Sequence, residues 1–518
     1  MDRSLLVCPS QEQSCICEFA SFHIWRTWRR TLASIPKRAS KMAVHLLGPN
    51  KPMNNERNYY ECQPDRANTN ETERFPANHV RYSWLLRPLN WIESSMKPGN
   101  FRPFLLKNVM LAEFDRAAPL DSVLGSAQEL AQTRRLVELA GAGFDQNPFL
   151  SPAGRLLLKL FTMGLMRNRR RVLEHYHQHR DYVERRGKII APLIITGLPR
   201  SGTTLLQRLI SEDPQTRSPY TFELEAPLPP MANQADPLND PRIRTSASSL
   251  KMLKRLAPGF VEKLNQSHYW SATEMEESLI YMLAHSGIPM MNAATAGHSF
   301  IDQFLTIDDK RTVFRYERLF FSILEAYRPC VSHWTFKAPN YAPCFPLIFD
   351  TYPDARVVLT HRNPLVTLPS YCRLMESWCL PFDQDGAFDK HSFGQISKRF
   401  IDLSLKAPLA YRKENQDKES QIFDCMYSEL FADPIGTVKN VYKKFNLSYT
   451  NEFEQRMIAY LQKNRQGKYG RHQYSLAEYG FQSELVYDSY REYMEFYGFQ
   501  IPVETQRPSS LGAVLSIG

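Results

Sequence analysis

Through residues 1–110 the apolar positions follow no period, and the stretch holds Pro, Asn and Arg clusters such as Gly48-Pro49-Asn50-Lys51-Pro52. Helical spacing begins beyond Val109. Leu130, Leu136, Val137 and Leu139 predict a helix within 120–140, and Leu156, Leu157, Leu160, Phe161 and Leu165 another within 152–186. At 191–197 the pattern changes to a short continuous apolar run, Leu193-Ile194-Ile195, closed by Gly197. Such a run predicts a strand buried on both faces. Further strands are predicted at 333–337, 355–360 and 421–427, with helices at 242–256, 272–285, 310–327 and 436–447. Strands that alternate with helices predict an α/β fold, a parallel sheet with helices on both faces. The chain then divides into a basic leader without regular structure (1–110), a helical N-terminal extension (111–190), the α/β domain (191–500) and a short tail (501–518).

Composition changes this picture in two places. The formal net charge of the 518 residues is +10, but residues 1–110 hold 16 Lys and Arg against 9 Asp and Glu, so most of the excess sits in the leader. The body is near balance, which gives no reason to expect a nucleic-acid partner. Phe19 to Asn55 contains seven Lys and Arg and no acid, as a mitochondrial presequence would, although Asp2, Glu12 and Glu18 precede it; Met42 is an alternative start. No apolar window is long enough for a membrane-spanning helix. The nine cysteines show no CxxC pair and no Cys/His ligand spacing, so they are expected as reduced thiols with no metal site. Together these features predict a cytoplasmic protein, with a mitochondrial location as the alternative. The basic run Arg167-Asn168-Arg169-Arg170-Arg171 reads as a solvated helix end.

The chemistry is concentrated in Pro192 to Gln207, PLIITGLPRSGTTLLQ. A strand ends at Gly197, a tight loop carries Arg200, Ser201 and Gly202, and Thr203-Thr204-Leu205 open an amphipathic helix. Helix N-terminal N–H groups and the helix dipole then converge on a spot that suits a phosphate. The loop is P-loop-like, but Thr203 stands where a nucleotide-binding GxxxxGK[ST] loop has its lysine, and the cation, Arg200, lies inside the loop. The second predicted strand ends at Lys337 and the third at His361-Arg362. In parallel sheets ligands sit at the carboxyl ends of the strands, so these cations predict an anion site there.

These residues resemble the sulfotransferase superfamily that uses 3′-phosphoadenosine 5′-phosphosulfate (PAPS). GLPRSGTTLL at 197–206 is similar to the family's 5′-phosphosulfate loop. YPDARVVLTHRNPLVTLPS at 352–370 carries Arg362 and Ser370 at the eight-residue spacing of its 3′-phosphate element. RQGKYG at 465–470 resembles its late RKGxxG loop, with Gln466 in place of a lysine. The resemblance spans about residues 120 to 500. It implies a donor site built from Arg200, Ser201, Gly202, Thr203, Thr204, Leu205, Arg362, Ser370, Arg465 and Gly467. It also implies sulfuryl transfer to a hydroxyl of a small-molecule, lipid or carbohydrate acceptor, without a metal. Arg200 and Lys337 are the expected stabilisers of the leaving phosphate oxygen. Oligomeric state is left open.

A base must take the acceptor's proton. Where related chains carry KxPxH, this one has Lys337-Ala338-Pro339-Asn340-Tyr341, and a tyrosine is a weak base at neutral pH. Other branches use a Glu some two dozen residues beyond the phosphate loop. That singles out Glu223 as the expected base, with Glu225 second and His268, near Glu276-Glu277, third. The acceptor pocket is expected from 222–235, 265–300 and 371–395, including Trp270, Tyr281, Met290, Met291, Trp378 and Phe382. Two competing readings stay open. A phosphate-loop small-molecule kinase would need a lysine at 203 and a metal-holding Asp. A nucleotide-binding relic would bind the donor without turnover.

Overall fold

The structure, a computed structural model, describes Leu86 and residues 104–499 apart from 231–235, 259, 266–267, 291–294, 307–309, 383–388 and 465–474. Its centre is a parallel sheet of four strands: β1 (Leu193–Gly197), β2 (Thr335–Lys337), β3 (Arg356–His361) and β4 (Ile422–Met426). Their spatial order is β2-β1-β3-β4, with Leu193 in register with both Thr335 and Arg356, and Val357 with Ile422. All four strands therefore end along one edge. Each was predicted, and the boundaries agree to within two residues.

The two faces of the sheet feed two apolar cores. Ile194, Phe336, Val357 and Leu359 belong to the larger one. Leu193, Ile195, Val358 and Cys425 belong to the smaller one. This alternation within continuous apolar runs is what a strand covered on both faces requires.

Helices α1 (Lys107–Ala117), α2 (Ala127–Gln146), α3 (Pro152–Gln178) and α4 (Arg180–Arg186) precede the sheet. They supply Met110, Phe114, Leu136, Val137, Leu158, Leu173 and Val183 to the larger core. Ser126 starts α2 with a capping box: its side chain accepts from Glu129 N–H while Glu129 reaches back to Ser126 N–H. The basic run at 167–171 is not a helix end but lies inside α3. Arg169 is buried against Asp121 at 2.9 Å, and Arg170 pairs with Glu113 and Glu174. These arginines tie the extension together, and burial beside Phe114 could not be read from the run itself.

Helix α5 (Thr203–Ile210) follows β1 directly, and α6 (Thr221–Glu225) and α7 (Arg242–Leu256) come next. The predicted helix at 272–285 begins only at Ser278, as α8 (Ser278–His285). Before it the backbone is tied to the start of α6. Thr221 N–H donates to Glu274 O at 2.8 Å, Phe222 N–H to Ala272 O at 3.0 Å, and Glu276 N–H to Pro219 O at 3.1 Å. Those bonds replace helical ones and set Glu276 and Glu277 at the mouth of α8. Helix α9 (Arg311–Tyr327) packs on the larger core, and α10 (Pro364–Cys379) leaves β3. Helices α11 (Lys390–Glu414) and α12 (Tyr427–Ala432) flank β4 in sequence. Helices α13 (Pro434–Lys444) and α14 (Asn451–Lys463) cover the smaller core with α5. Among the described residues no helix is long and apolar enough to cross a membrane. Cys330, Cys344, Cys372, Cys379 and Cys425 are free thiols.

Candidate active site

The carboxyl edge of the sheet gathers the basic residues singled out above. Gly197 closes β1 with φ 129°, and a Cβ there would lie 2.3 Å from Thr360 O on β3. Gly202 caps α5 with φ 90°, in the left-handed region that suits glycine. Between them Arg200 also has a positive φ, 65°. The loop is anchored from beneath by Ser201. Its buried hydroxyl bonds to Leu198 O and lies 2.6 Å from Thr360 Oγ1. The Ser201 side chain thus holds the loop to β3. Thr203 is buried, Thr204 is exposed and Leu205 is half-buried against the smaller core. The N–H groups of these first-turn residues have no intrahelical acceptor by the geometry of an α-helix, and the positive end of the dipole is added to them.

Arg200, Arg362 and Ser370, distant in sequence, meet here. Arg200 Nε donates to Ser370 Oγ at 3.2 Å, and Arg362 Nη1 donates to Arg200 O at 2.6 Å. Ser370 comes from the second turn of α10, which explains the eight-residue spacing from Arg362. Tyr427, the first residue after β4, was not anticipated from sequence. The Arg362 guanidinium lies 3.9 Å from its ring centroid, and the same ring limits space beside Gly202. An aromatic residue directly after the last strand was the available signal.

Behind Arg362, His361 supports the strand end. Its Nδ1 lies 2.9 Å from Tyr493 Oη, its Nε2 2.8 Å from Asp424 Oδ1, and its ring stacks on Tyr497 with centroids 3.8 Å apart. Burial lowers the His361 pKa in spite of Asp424. Asp424 is desolvated too, but His361 and Arg412 outweigh this and hold its carboxyl at about 2.

Lys337, fully buried at the end of β2, donates to Glu277 Oε1 at 2.8 Å and to Thr204 Oγ1 at 3.4 Å. It therefore bridges β2, the first turn of α5 and the approach to α8. Arg465 and Gly467 lie outside the described residues.

Beside the loop a cavity is lined by Pro199, His268, Glu276, Glu277, Pro339 and Asn340 on its polar side. Trp270, Tyr281, Met290, Tyr371, Met375 and Trp378 are among its apolar walls. Trp270, Tyr281, Met290 and Trp378 were expected there. Phe382 is instead packed under Gly154 at the start of α3, and Met291 lies outside the described residues. A larger hollow of about 620 Å³ lies between α2 and the start of α11, among Leu139, Asn147, Ala296 and Phe393; it draws on the segments 265–300 and 371–395 but holds none of the loop cations or candidate bases.

The candidate bases are placed very differently. Glu223 is fully buried. Its Oε1 accepts from Arg217 at 2.6 Å and Arg328 at 3.1 Å, with Arg242 at 4.0 Å, while Oε2 accepts from Tyr220 N–H. Burial would raise its pKa, yet the three guanidinium groups win and lower it. It does not line the cavity, and its carboxylate is held by Arg217 and Arg328, with Arg242 itself paired to Asp240. Glu223, the expected base, thus stands apart from the cavity.

Glu225 lies behind the cavity wall, accepting from Ser246 Oγ at 2.5 Å and Tyr281 Oη at 3.2 Å; burial raises its carboxyl to about 7. Tyr341, in the position of the expected histidine, is buried against Glu317 (2.6 Å) and Ser278 (2.8 Å), where burial raises its hydroxyl well above the usual value. Only His268 both lines the cavity and has a carboxylate partner on its ring, Glu276 Oε1 at 2.6 Å from Nε2. Among the described residues no group of three or more His, Cys, Asp or Glu is arranged to hold a metal ion.

Residues 192–451 match the profile of the Sulfotransferase family. Two solved structures share the fold. Sulfotransferase STF9 from Mycobacterium avium is 20% identical, with a TM-score of 0.65 over 78% of this chain and 99% of that one. Sulfotransferase STF1 from Mycobacterium tuberculosis H37Rv is 23% identical, with a TM-score of 0.61 over 76% of this chain and all of that one. No curated protein matches the chain.

Proposed function

The chain belongs to the sulfotransferase family, and from that premise we propose that it transfers a sulfuryl group from PAPS to a hydroxyl of a small aromatic or lipidic acceptor. The observation that carries this reading is the meeting of Arg200, Arg362 and Ser370 at the carboxyl edge of the sheet. A donor with phosphates at both ends of its ribose needs a second anion-binding group beside the loop, and Arg362 with Ser370 supports one there. The residues fit such a donor. Gly202 and the first turn of α5 offer N–H groups to the phosphosulfate end, and Arg362 and Ser370 offer a cation and a hydroxyl to the 3′-phosphate.

The donor supplies the sulfuryl group; the chain supplies positioning and charge. Arg200 and Lys337 stabilise negative charge on the phosphate oxygen as its bond to sulfur breaks. The acceptor oxygen bonds to sulfur and gives up its proton, for which His268 is the proposed base. The aromatic lining by Trp270, Tyr281, Tyr371 and Trp378 supports an acceptor with an apolar body.

The test is calorimetry with 3′,5′-phosphoadenosine and AMP, on the wild type and Arg362→Ala. The reading expects the bisphosphate to bind at least tenfold more tightly than AMP and the variant to lose that margin, roughly the worth of one charge-assisted contact. Equal binding of the two nucleotides to the wild type would overturn it.

A further inference from the structure

Glu276 and Glu277 are adjacent at the mouth of α8 and face opposite partners. Glu276 Oε1 lies 2.6 Å from His268 Nε2, and Glu276 Oε2 accepts the N–H of Glu277 at 3.1 Å. Glu277 Oε1 instead accepts from Lys337 Nζ at 2.8 Å. Both carboxylates and His268 line the same cavity, beside Pro199 of the phosphate loop.

We propose that Glu276 is the positioning residue that sets the tautomer of His268, holding Nε2–H and leaving Nδ1 as the atom that takes the acceptor's proton. The inference rests on His268 being the base. An ionised carboxylate can only accept a hydrogen bond, so its partner nitrogen carries the proton. Glu276 is ionised in this setting. Burial opposes the charge and a protonated His268 favours it most; beside the neutral ring the Nε2–H hydrogen bond, Lys337 and the Glu277 N–H still favour the carboxylate. Both Glu276 oxygens are engaged, so the carboxylate cannot rotate away without losing a bond. The ring is also bounded by Trp378, with centroids 6.0 Å apart. Among the described residues no side chain or backbone group pairs with Nδ1. The pairing of Glu277 with Lys337 leaves the neighbouring carboxylate on the donor side, so one dipeptide holds a proton acceptor and a leaving-group cation at a set separation.

The test uses the full chain in three variants, Glu276→Gln, Glu276→Asp and His268→Asn, with 2-naphthol as acceptor and histidine-selective ¹⁵N NMR as a readout that needs no turnover. In the wild type the neutral His268 ring should show its proton on Nε2, and Glu276→Gln, whose amide can present either its oxygen or its NH2 to Nε2, should weaken that preference. Its kcat should fall about 100-fold, with affinity for 3′,5′-phosphoadenosine within twofold of wild type. Glu276→Asp should recover part of kcat, and Glu276→Gln combined with His268→Asn should be no slower than His268→Asn alone. An unchanged tautomer in Glu276→Gln would overturn the inference while leaving the base assignment standing. Full activity of His268→Asn would instead remove the base assignment itself.

Discussion

Arg362 donates from Nη1 to the carbonyl oxygen of Arg200 at 2.6 Å, so the cation at the end of β3 is bonded to the backbone of the loop at the end of β1. The pairing makes the loop and the basic element one unit. Arg362→Ala is expected to weaken 3′,5′-phosphoadenosine binding by roughly 10- to 100-fold, the range for a charge-assisted contact, while AMP binding changes little. Titration calorimetry at fixed salt measures both.

Gly202→Ala tests the loop's backbone. Its φ of 90° is strained for any L side chain, and the added Cβ would lie 2.9 Å from Leu430 and 3.3 Å from Tyr427. Destabilisation of about 1–2 kcal/mol is expected, with a larger proportional loss of donor affinity because the Tyr427 ring also carries Arg362. Urea denaturation and calorimetry separate the two effects.

Glu223→Gln tests whether that carboxylate is an anchor. Removing it leaves Arg217 and Arg328 buried without their anion, at a cost of about 3–5 kcal/mol. Its pKa is lowered in the fold, so its stabilisation is present above the unfolded value and is lost as pH falls through the folded one. Denaturation should therefore show a smaller acid-side loss in the variant than in the wild type. A variant as stable as wild type and devoid of transfer activity would restore Glu223 as the base.

Glu225 should produce the opposite pH dependence. Burial raises its carboxyl from 4.5 to about 7, so the folded state keeps a proton that the unfolded state releases. Stability is then lost as pH rises from 4.5 to about 7, by on the order of 3 kcal/mol. Glu225→Gln should flatten this part of the denaturation-versus-pH curve, since the amide can still meet Ser246 and Tyr281 without titrating.

Trp378 sits 6.0 Å, centroid to centroid, from both His268 and Trp270. Trp378→Ala should raise the KM for an aromatic alcohol about tenfold or more and leave 3′,5′-phosphoadenosine binding unchanged. Steady-state kinetics over a series from naphthols to short alkanols would show the loss shrinking with acceptor size.

Much of the carboxyl edge of the sheet was legible along the chain. The strands stand out because a strand covered on both faces must be apolar at every position, as Leu193, Ile194 and Ile195 are. Gly197 and Gly202 mark the loop because their positive φ angles suit a residue without Cβ. Arg362 and Ser370 are separated by the start of one helix, so their spacing survives folding unchanged.

The surroundings of the candidate bases were not legible in this way. Glu223 and His268 are both polar residues that no hydrophobic period places, and spacing from the loop carries no information on the charges around either. What separates them is which neighbours the fold brings to each. Arg217, Arg328 and Arg242 close on Glu223, whereas the backbone bonds from α6 to residues 272–276 hold Glu276 against His268.

The parallel sheet, the glycine-bounded loop and the line of cations at the strand ends could be read along the chain, because each depends on contacts within a few residues or on an apolar run that reports its own burial. The tertiary structure alone decided the clamp of Tyr427 on Arg362, the burial of Tyr341 and the pairing of His268 with Glu276. Those depend on side chains from separate elements sharing one small, water-poor volume, and no local pattern encodes which charge meets which partner there.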